Sequence, residues 1–114
     1  MRLIIIALTC LFITACATQN KAEEQSLALG KENFAVHNYD MAYEHLAPLA
    51  ENGDADAQYA LGYTYYNGYG VPRDEAVAVK WIKKAAKQHN LKAVRALHQL
   101  ETANQSAFYV PFTS

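Results

Sequence analysis

Apolar residues recur at helical spacing along most of the chain. In residues 55–67, Ala57, Leu61 and Tyr65 lie along one stripe when successive residues are placed 100° apart, and Gly62 lies at the edge of that stripe. In residues 74–88 a second apolar stripe opposes a run of lysines, and its members are Ala78, Trp81, Ile82, Ala85 and Ala86. Both segments are therefore predicted to be amphipathic helices that pack through small and apolar side chains.

Turn-forming residues separate these helices from their neighbours. The stretches NYD, ENGDAD and NGYGVPRD interrupt the apolar pattern, and Pro72 prevents continuation of the third helix. Asp54 and Asp74 precede helical segments and are predicted to act as N-caps. Sustained alternation of polar and apolar residues occurs only in the terminal FYVPF. The pattern thus predicts an all-α chain of about five helices, at roughly 23–36, 40–51, 55–67, 74–88 and 91–104.

The apolar pattern repeats at an offset of 36 residues. Six positions align without a gap: Ala42 with Ala78, Leu46 with Ile82, Ala50 with Ala86, Ala57 with Ala93, Ala60 with Ala96, and Leu61 with Leu97. A period of this length is typical of stacked helical repeats, in which each unit buries its apolar face only against its neighbours. The sequence therefore predicts a short solenoid of antiparallel helices.

The tyrosines of the third helix divide between its two sides. Tyr65 belongs to the packing stripe, whereas Tyr59, Tyr63 and Tyr66 lie on the opposite side at i, i+4 and i+7. Packing of this helix onto the next one does not require the second aromatic face. Two interpretations are open at this point: these tyrosines contact a partner, or they pack between adjacent helices.

The first sixteen residues carry a different pattern. Arg2 precedes an uncharged run from Leu3 to Ala15, and these thirteen residues are fewer than the roughly 20 that a helix needs to cross a bilayer. The run therefore predicts a secretory signal peptide over residues 1–15. Its end, the sequence ITAC, resembles the bacterial lipobox, in which the cysteine, here Cys16, is acylated and becomes the mature N-terminus.

Lipidation at Cys16 would place the mature chain on the cell envelope. Several acyl chains hold a protein stably to a bilayer, and residues 16–23 would form a lipidated tether ahead of a repeat domain at 24–105. By resemblance to lipoprotein sorting signals, Ala17 favours the outer membrane, facing the periplasm. A signal peptide cleaved elsewhere is the alternative. With Cys10 removed and Cys16 acylated, no thiol remains for a disulfide, a zinc site or nucleophilic catalysis.

The stretch from residue 55 to 86 closely resembles the Sel1-like repeat, a helix-turn-helix unit related to the tetratricopeptide repeat. The second half of a preceding unit is recognisable at residues 39–53, with Leu27 and Gly30 of its first helix in weaker register. A third unit begins at residue 91 and stops after one helix, and His89 and Asn90 stand where a glycine usually ends a complete unit. The matching positions, which include a G-x-G-V turn, are Ala57, Leu61, Gly62, Tyr65, Gly68, Gly70, Val71, Asp74, Ala78, Trp81, Ala85 and Ala86.

The resemblance implies a right-handed solenoid whose first helices line a concave surface that binds other proteins, and it implies no catalytic residue. At the centre of that surface we expect Tyr59, Tyr63, Tyr66, Asn67 and Tyr69. The offset of 36 adds Glu23 and Leu27 on one flank and Arg95 and Gln99 on the other. Tyrosine suits an interface because it offers a large rigid surface and a hydroxyl at small entropic cost.

Charge and motif content argue against other functions. The net charge of −1 gives no broad basic field for nucleic acid. Capping accounts for the acidic residues at helix starts, Asp54, Asp56, Asp74 and Glu75. The histidines, His37, His45, His89 and His98, show no i, i+4 pairing and no carboxylate at ligand spacing. We therefore expect no metal, no cofactor and no enzymatic activity, including hydrolysis of peptidoglycan.

Two further surfaces each allow two interpretations. Lys80, Lys83, Lys84 and Lys87 line one side of residues 74–88, which predicts a solvated outer face or, alternatively, contact with anionic lipid or an acidic partner. Residues 106–114 are too apolar for a solvated tail, and Pro111 argues against a helix there. We expect this tail to cap the last helix or the groove; the alternative is a partner-binding peptide.

These patterns together predict a lipid-anchored, monomeric, periplasmic repeat protein that binds another protein through its concave face. The partner's identity does not follow from the sequence. An immunity or inhibitor role against a periplasmic effector enzyme, and a structural role at the envelope without a defined ligand, remain open alternatives.

Overall fold

The computed structural model describes residues 2–108 of the chain, and the side chains of residues 18–104. Five α-helices follow one another, and residues 2–108 contain no strand. Their bounds are α1 Arg2–Ala35, α2 Tyr39–Glu51, α3 Ala55–Asn67, α4 Glu75–Lys87 and α5 Leu91–Phe108. The prediction of an all-α helical-repeat fold is therefore confirmed.

The two ends of the helical array differ from the predicted bounds. Helix α1 begins at Arg2, so residues 2–23, assigned to a signal peptide and a tether, are helical and continuous with the rest of α1. Helix α5 continues to Phe108, three residues into the segment predicted to be a non-helical tail. The predicted cap spans residues 106–114, and its residues 109–114 lie outside the described residues. Within residues 2–108, no helix has both the length and the apolar character of a membrane span.

Packing is sequential: α1 contacts α2, α2 contacts α3, α3 contacts α4, and α4 contacts α5. The larger core cluster lies between α2 and α3 and consists of Ala42, Leu46, Leu49, Ala50, Ala57 and Leu61. A smaller one, Ile82, Ala85 and Ala93, joins α4 to α5. Because no single pair of helices encloses a core, each helix depends on its sequence neighbours for burial, as expected of stacked repeats.

Tyr65 belongs to the packed side of α3, as predicted. Its ring is half-buried against the α2–α3 cluster, and its hydroxyl lies 3.1 Å from the Tyr43 hydroxyl. The hydrogen bond with Tyr43, together with burial and the negative charge of Asp74, raises the pKa of Tyr65 to about 12. The side chain is therefore a neutral packing element.

Two glycines allow the closest approaches between helices. A Cβ atom on Gly62 would lie 2.6 Å from Ile82 Cγ1 and 3.0 Å from the carbonyl oxygen of Ala78. A Cβ atom on Gly30 would lie 2.7 Å from Leu46 Cδ2. The predicted role of Gly62 at a helix contact is confirmed, and Gly30 is its equivalent in the first unit.

The predicted N-caps are confirmed. Asp54 Oδ1 accepts a hydrogen bond from the backbone N–H of Ala57 at 2.7 Å, and Asp74 Oδ1 accepts one from Val77 at 3.0 Å. At the end of the second unit, His89 takes the left-handed conformation that a glycine would favour, with φ of 63°. The side chain of the next residue, Asn90, accepts a hydrogen bond from Ala93 N at 3.1 Å and so caps α5.

A buried glutamine fixes the junction of α2, α3 and α4. Gln58 donates from Nε2 to the carbonyl oxygen of Ala50 at 3.0 Å, and its Oε1 accepts from Gln88 Nε2 at 2.9 Å. Gln88 Nε2 also lies 2.8 Å from the carbonyl oxygen of Gly53. Because the polar atoms of Gln58 have partners inside the fold, its burial carries no unsatisfied group.

Candidate partner-binding face

Tyr59, Tyr63 and Tyr66, which we call the tyrosine face, lie on the side of α3 away from the α2–α3 core. Two grooves run beside them. The α3–α5 groove has a volume of about 330 Å³, and the α1–α3 groove has a volume of about 360 Å³. Tyr59 and Tyr63 line both grooves. The tyrosine face is therefore the shared wall of a surface that extends over α1, α3 and α5.

The α3–α5 groove is apolar. Besides Tyr59 and Tyr63, it is lined by Tyr66 of α3, by the buried Ile82 of α4, and by Ala96, Gln99, Leu100 and Ala103 of α5. Gln99 is the one lining residue here with an amide side chain, and none is charged. This composition favours contact with apolar side chains of a partner.

The α1–α3 groove combines aromatic and charged groups. Phe34 of α1 and the two shared tyrosines form its apolar wall, with Ala60 between them. The centroids of Phe34 and Tyr63 are 5.9 Å apart, and those of Tyr59 and Tyr63 are 6.5 Å apart. Lys31, Asp56 and Lys92 provide its charged groups.

The tyrosines differ in how much of each ring is available. Tyr63 is 41% exposed, whereas Tyr59 is half-buried. Burial is the main cause that raises the pKa of Tyr59, and its interaction with the neighbouring Tyr63 contributes. The guanidinium carbon of Arg73 lies 5.6 Å from the centroid of Tyr66, so one face of that ring is covered. Tyr63 is therefore the most accessible member of the tyrosine face.

Tyr69 is placed differently from the tyrosine face. Its ring stacks on Tyr39 with centroids 4.4 Å apart and an angle of 5° between the planes, and Phe34 lies 6.1 Å away. Tyr69 lines neither groove. Beside it, a Cβ atom on Gly70 would lie 3.0 Å from Tyr39 Cβ. Tyr69 thus joins the α3–α4 turn to the start of α2.

Two other predicted groove residues also lie away from the groove linings. Asn67 donates from Nδ2 to the carbonyl oxygen of Tyr63 at 2.9 Å, so its amide faces its own helix. Arg95 is exposed on α5 but lines neither groove. Of the two residues predicted on the α5 flank, the structure brings Gln99 to the tyrosine face.

The predicted α1 flank is out of register. Leu27 packs against the α2–α3 core and Glu23 is exposed, while Lys31 and Phe34 line the groove instead. The α1–α2 link has three residues, 36–38, whereas the α3–α4 link has seven, 68–74. Because the first link is four residues shorter, α1 aligns with α3 at an offset of 32, which pairs Gly30 with Gly62. The offset of 36 therefore misplaces the predicted α1 residues by four positions, or about one helical turn. The matching glycines, Gly30 and Gly62, were the feature of the sequence from which the correct alignment of α1 with α3 could have been found.

Asp56, predicted to favour the start of a helix, also links three helices. Its Oδ2 accepts from Lys31 Nζ at 2.9 Å and its Oδ1 accepts from Asn90 Nδ2 at 2.7 Å, so it links α1, α3 and the start of α5. The hydrogen bond from Lys31 is the main cause that lowers the pKa of Asp56, and the charge of Lys92 contributes. Lys31, Phe34 and Lys92 were not predicted, because they come together only through contacts distant in sequence.

Metal-ligating side chains do not cluster in the part of the chain that the structure describes. No three histidine, cysteine, aspartate or glutamate side chains there are close enough to hold an ion together. The residues that line the two grooves offer apolar contact, hydrogen bonding and charge pairing.

Comparison with known proteins agrees with this architecture. The profile of the Sel1 repeat matches residues 29–54 and 55–90, which together make up more than half of the chain. The putative sel1-like repeat-containing protein L18 of Acanthamoeba polyphaga mimivirus is 43% identical over 47 residues, which are 41% of this chain and 8% of that protein. Sel1 repeats typically mediate protein–protein interactions and are generally non-enzymatic. The chain belongs to the Sel1 repeat family.

Proposed function

We propose that this protein binds another protein through the tyrosine face and the two grooves beside it, without catalysing a reaction. The observation that carries the proposal is the position of Tyr63. It lies opposite the packed side of α3, is 41% exposed, and lines both grooves. Its ring contacts Phe34, Tyr59 and Tyr69 within the chain and still leaves this fraction of its surface open to a partner.

The composition of the surface supports this role. Interface anchors are often tyrosines, since the ring buries a large area at the cost of few rotatable bonds. The wall supplied by Ile82, Leu100 and Ala103 beside the tyrosine face is apolar, and Gln99 can donate or accept a hydrogen bond. A partner that fills both grooves would bury Tyr63 from two sides.

Site-specific photo-crosslinking in the cells that produce the protein tests this proposal. We would place p-benzoylphenylalanine at Tyr63 or Gln99 in the full-length chain, with Lys83 on the exposed side of α4 as the matched control position. We expect the same crosslinked partner from Tyr63 and Gln99 and none from Lys83. A partner captured from Lys83 but not from either groove position would contradict the proposal.

We further propose that the protein is anchored to the bacterial outer membrane, facing the periplasm, through acyl chains on Cys16. The proposal is supported by the ITAC sequence after an uncharged apolar run of thirteen residues. A single protomer would then present its grooves to partners near the membrane surface. The anchor and the tyrosine face lie in different parts of the chain, so each can be tested alone.

Membrane fractionation of two cysteine variants tests the anchor. Cys16→Ser should move the protein from the membrane fraction to the soluble fraction, whereas Cys10→Ser should leave it in the membrane fraction. Globomycin, which inhibits cleavage of lipoprotein signal peptides, should make the unprocessed form of the wild-type protein accumulate. Membrane association that survives Cys16→Ser would refute lipidation at this residue while leaving the binding proposal intact.

A further inference from the structure

The α1–α3 groove carries more positive than negative charge. Its ionisable side chains other than tyrosine are Lys31, Asp56 and Lys92, which place one carboxylate with two ammonium groups. Both oxygens of Asp56 have partners within the chain: Lys31 Nζ lies 2.9 Å from Oδ2, and Asn90 Nδ2 lies 2.7 Å from Oδ1. The carboxylate is therefore already committed to holding α1, α3 and α5 together.

Lys92 is the ammonium group that this carboxylate does not engage directly. It is exposed on the first turn of α5 and lines the groove. Within the described part of the chain its Nζ donates no hydrogen bond. Lys92 acts on Asp56 through its charge alone, so its ammonium group can pair with an added carboxylate without breaking an internal hydrogen bond.

The aromatic wall of the same groove is suited to contact with an apolar side chain. The ring centroid of Tyr63 lies 5.9 Å from that of Phe34 and 6.5 Å from that of Tyr59, and Tyr63 is exposed. The volume of about 360 Å³ lies within the range of about 300–1,000 Å³ that is usual for binding sites. The groove is an open surface, so it suits side chains that project from a larger partner.

We infer that the α1–α3 groove binds an acidic segment of the partner protein, whose aspartate or glutamate pairs with Lys92 while a neighbouring aliphatic or aromatic residue packs on Phe34 and Tyr63. The inference rests on the proposed function and specifies the chemistry of the partner. The groove has one excess positive charge, which matches one carboxylate, whereas a polyanion such as nucleic acid or an anionic bilayer brings more negative charge than the groove can neutralise. The α3–α5 groove has no charged lining residue, so charge selection belongs to the α1–α3 groove.

A peptide selection followed by matched binding measurements tests the inference. The full-length chain would be used to select binders from a library of random peptides. Each enriched peptide would then be synthesised twice, once as selected and once with Asp and Glu replaced by Asn and Gln. We expect the amide form to bind about fivefold more weakly by fluorescence anisotropy, as expected for loss of an exposed ion pair.

Charge reversal locates the effect in the protein. Lys92→Glu should weaken binding of the acidic peptides on the order of tenfold, since it places two like charges together. Lys83→Glu, which makes the same change in net charge on the outer side of α4, should leave binding unchanged. Circular-dichroism spectra of both variants that match wild type at the temperature of the binding measurement would show that the loss does not come from unfolding.

The outcomes separate this inference from the proposed function. If Tyr63→Ala weakens binding but Lys92→Glu and the amide peptides do not, acidic recognition is wrong and the tyrosine face still binds. If none of the three changes matters, the proposed function fails as well. Enrichment without a preference for Asp or Glu contradicts the inference. The wild-type protein would also be tested with vesicles of phosphatidylcholine and phosphatidylglycerol. If it bound them and Lys92→Glu abolished that binding, the groove would recognise a membrane surface and the inference of an acidic protein segment would be wrong.

Discussion

The two sides of α3, a helix of thirteen residues, differ in the size and the burial of their side chains. The packed side carries Ala57, Leu61 and Gly62, which are small or fully buried and fit against α2 and α4. The other side carries the tyrosine face, whose rings are large and partly open to solvent. Within the second side, Tyr59 also packs against the α4–α5 cluster, whereas Tyr63 is 41% exposed, so the packing of the repeat explains Tyr63 least.

The packed side is also less tolerant of change. Interiors are close-packed, so removal of buried atoms leaves a cavity and addition of atoms creates strain. An open aromatic surface loses contacts when it is truncated but leaves no sealed cavity. Substitutions on the two sides should therefore separate stability from binding.

The largest expected effect is that of Leu61→Ala. Leu61 is 2% exposed in the α2–α3 core, and the substitution should reduce the free energy of unfolding by about 2–5 kcal/mol. Urea denaturation followed by circular dichroism would measure the loss. Recovery of crosslinked partner from the fraction that is still folded should be unchanged. A loss well under 2 kcal/mol would show that the α2–α3 core is not the principal core of the repeat.

Gly62→Ala should come next. The added Cβ atom would lie 2.6 Å from Ile82 Cγ1 and 3.0 Å from a backbone oxygen of α4, so α4 itself must move. Strain of this kind typically costs about 1–3 kcal/mol, and the better helix propensity of alanine offsets up to about 1 kcal/mol. We expect a net loss of about 1–2 kcal/mol in the free energy of unfolding.

Gly30→Ala is the matched control for that substitution. The nearest atoms to its added Cβ belong to the side chains of Leu46 and His45, with no backbone atom among them. A side chain can change rotamer where a helix backbone cannot, so Gly30→Ala should destabilise the protein less than Gly62→Ala. The reverse order would mean that the α1–α2 contact is tighter than the α3–α4 contact.

The sequence was sufficient for the features that depend on local pattern. Helical periodicity placed Leu61 and Tyr63 on opposite sides of one helix, and the acidic residues before each helix identified the caps at Asp54 and Asp74. These features need only the geometry of a single helix and its ends. The same reasoning identified the fold, because the period and its glycines are local signals.

The sequence was not sufficient where contacts join distant segments. The register of α1 depends on the length of the α1–α2 link, and a period measured on later units did not include that difference. The stacking of Tyr69 on Tyr39 and the bond from Lys31 to Asp56 join residues in different units. No local periodicity encodes such pairs, so part of the candidate site, Lys31, Phe34 and Lys92, became visible only in the structure.

Tyr63→Ala should cost less stability than either change on the packed side. The ring contacts Phe34, Tyr59 and Tyr69, and loss of aromatic contacts at a partly exposed position costs about 1 kcal/mol. Binding of the partner should nevertheless fall, because the residue lines both grooves. If Tyr63→Ala proved as destabilising as Leu61→Ala, the tyrosine face would be part of the core, and its assignment to a partner would be wrong.

The smallest effect should come from Asp56→Asn, which weakens the bond to Lys31 without removing a side chain from either side of α3. The pair is exposed, so the variant should lose no more than about 1 kcal/mol at neutral pH. Because the pKa of Asp56 lies below its ordinary value of 3.8, the folded chain binds a proton here less readily than the unfolded chain does. The stabilisation is therefore present above that ordinary value and is lost as the pH falls through the lower pKa of the folded state.

Urea denaturation of wild type and Asp56→Asn at several pH values would measure this difference. Glu44→Gln is the matched control, since Glu44 is an exposed carboxylate on α2 with no ion pair among the side chains that the structure describes. We expect the gap between wild type and Asp56→Asn to close at acidic pH, while no such gap exists for Glu44→Gln. A gap that stayed constant with pH would show that the carboxylate acts through its shape and its contact with Asn90, and that its charge contributes nothing to joining α1 to α3.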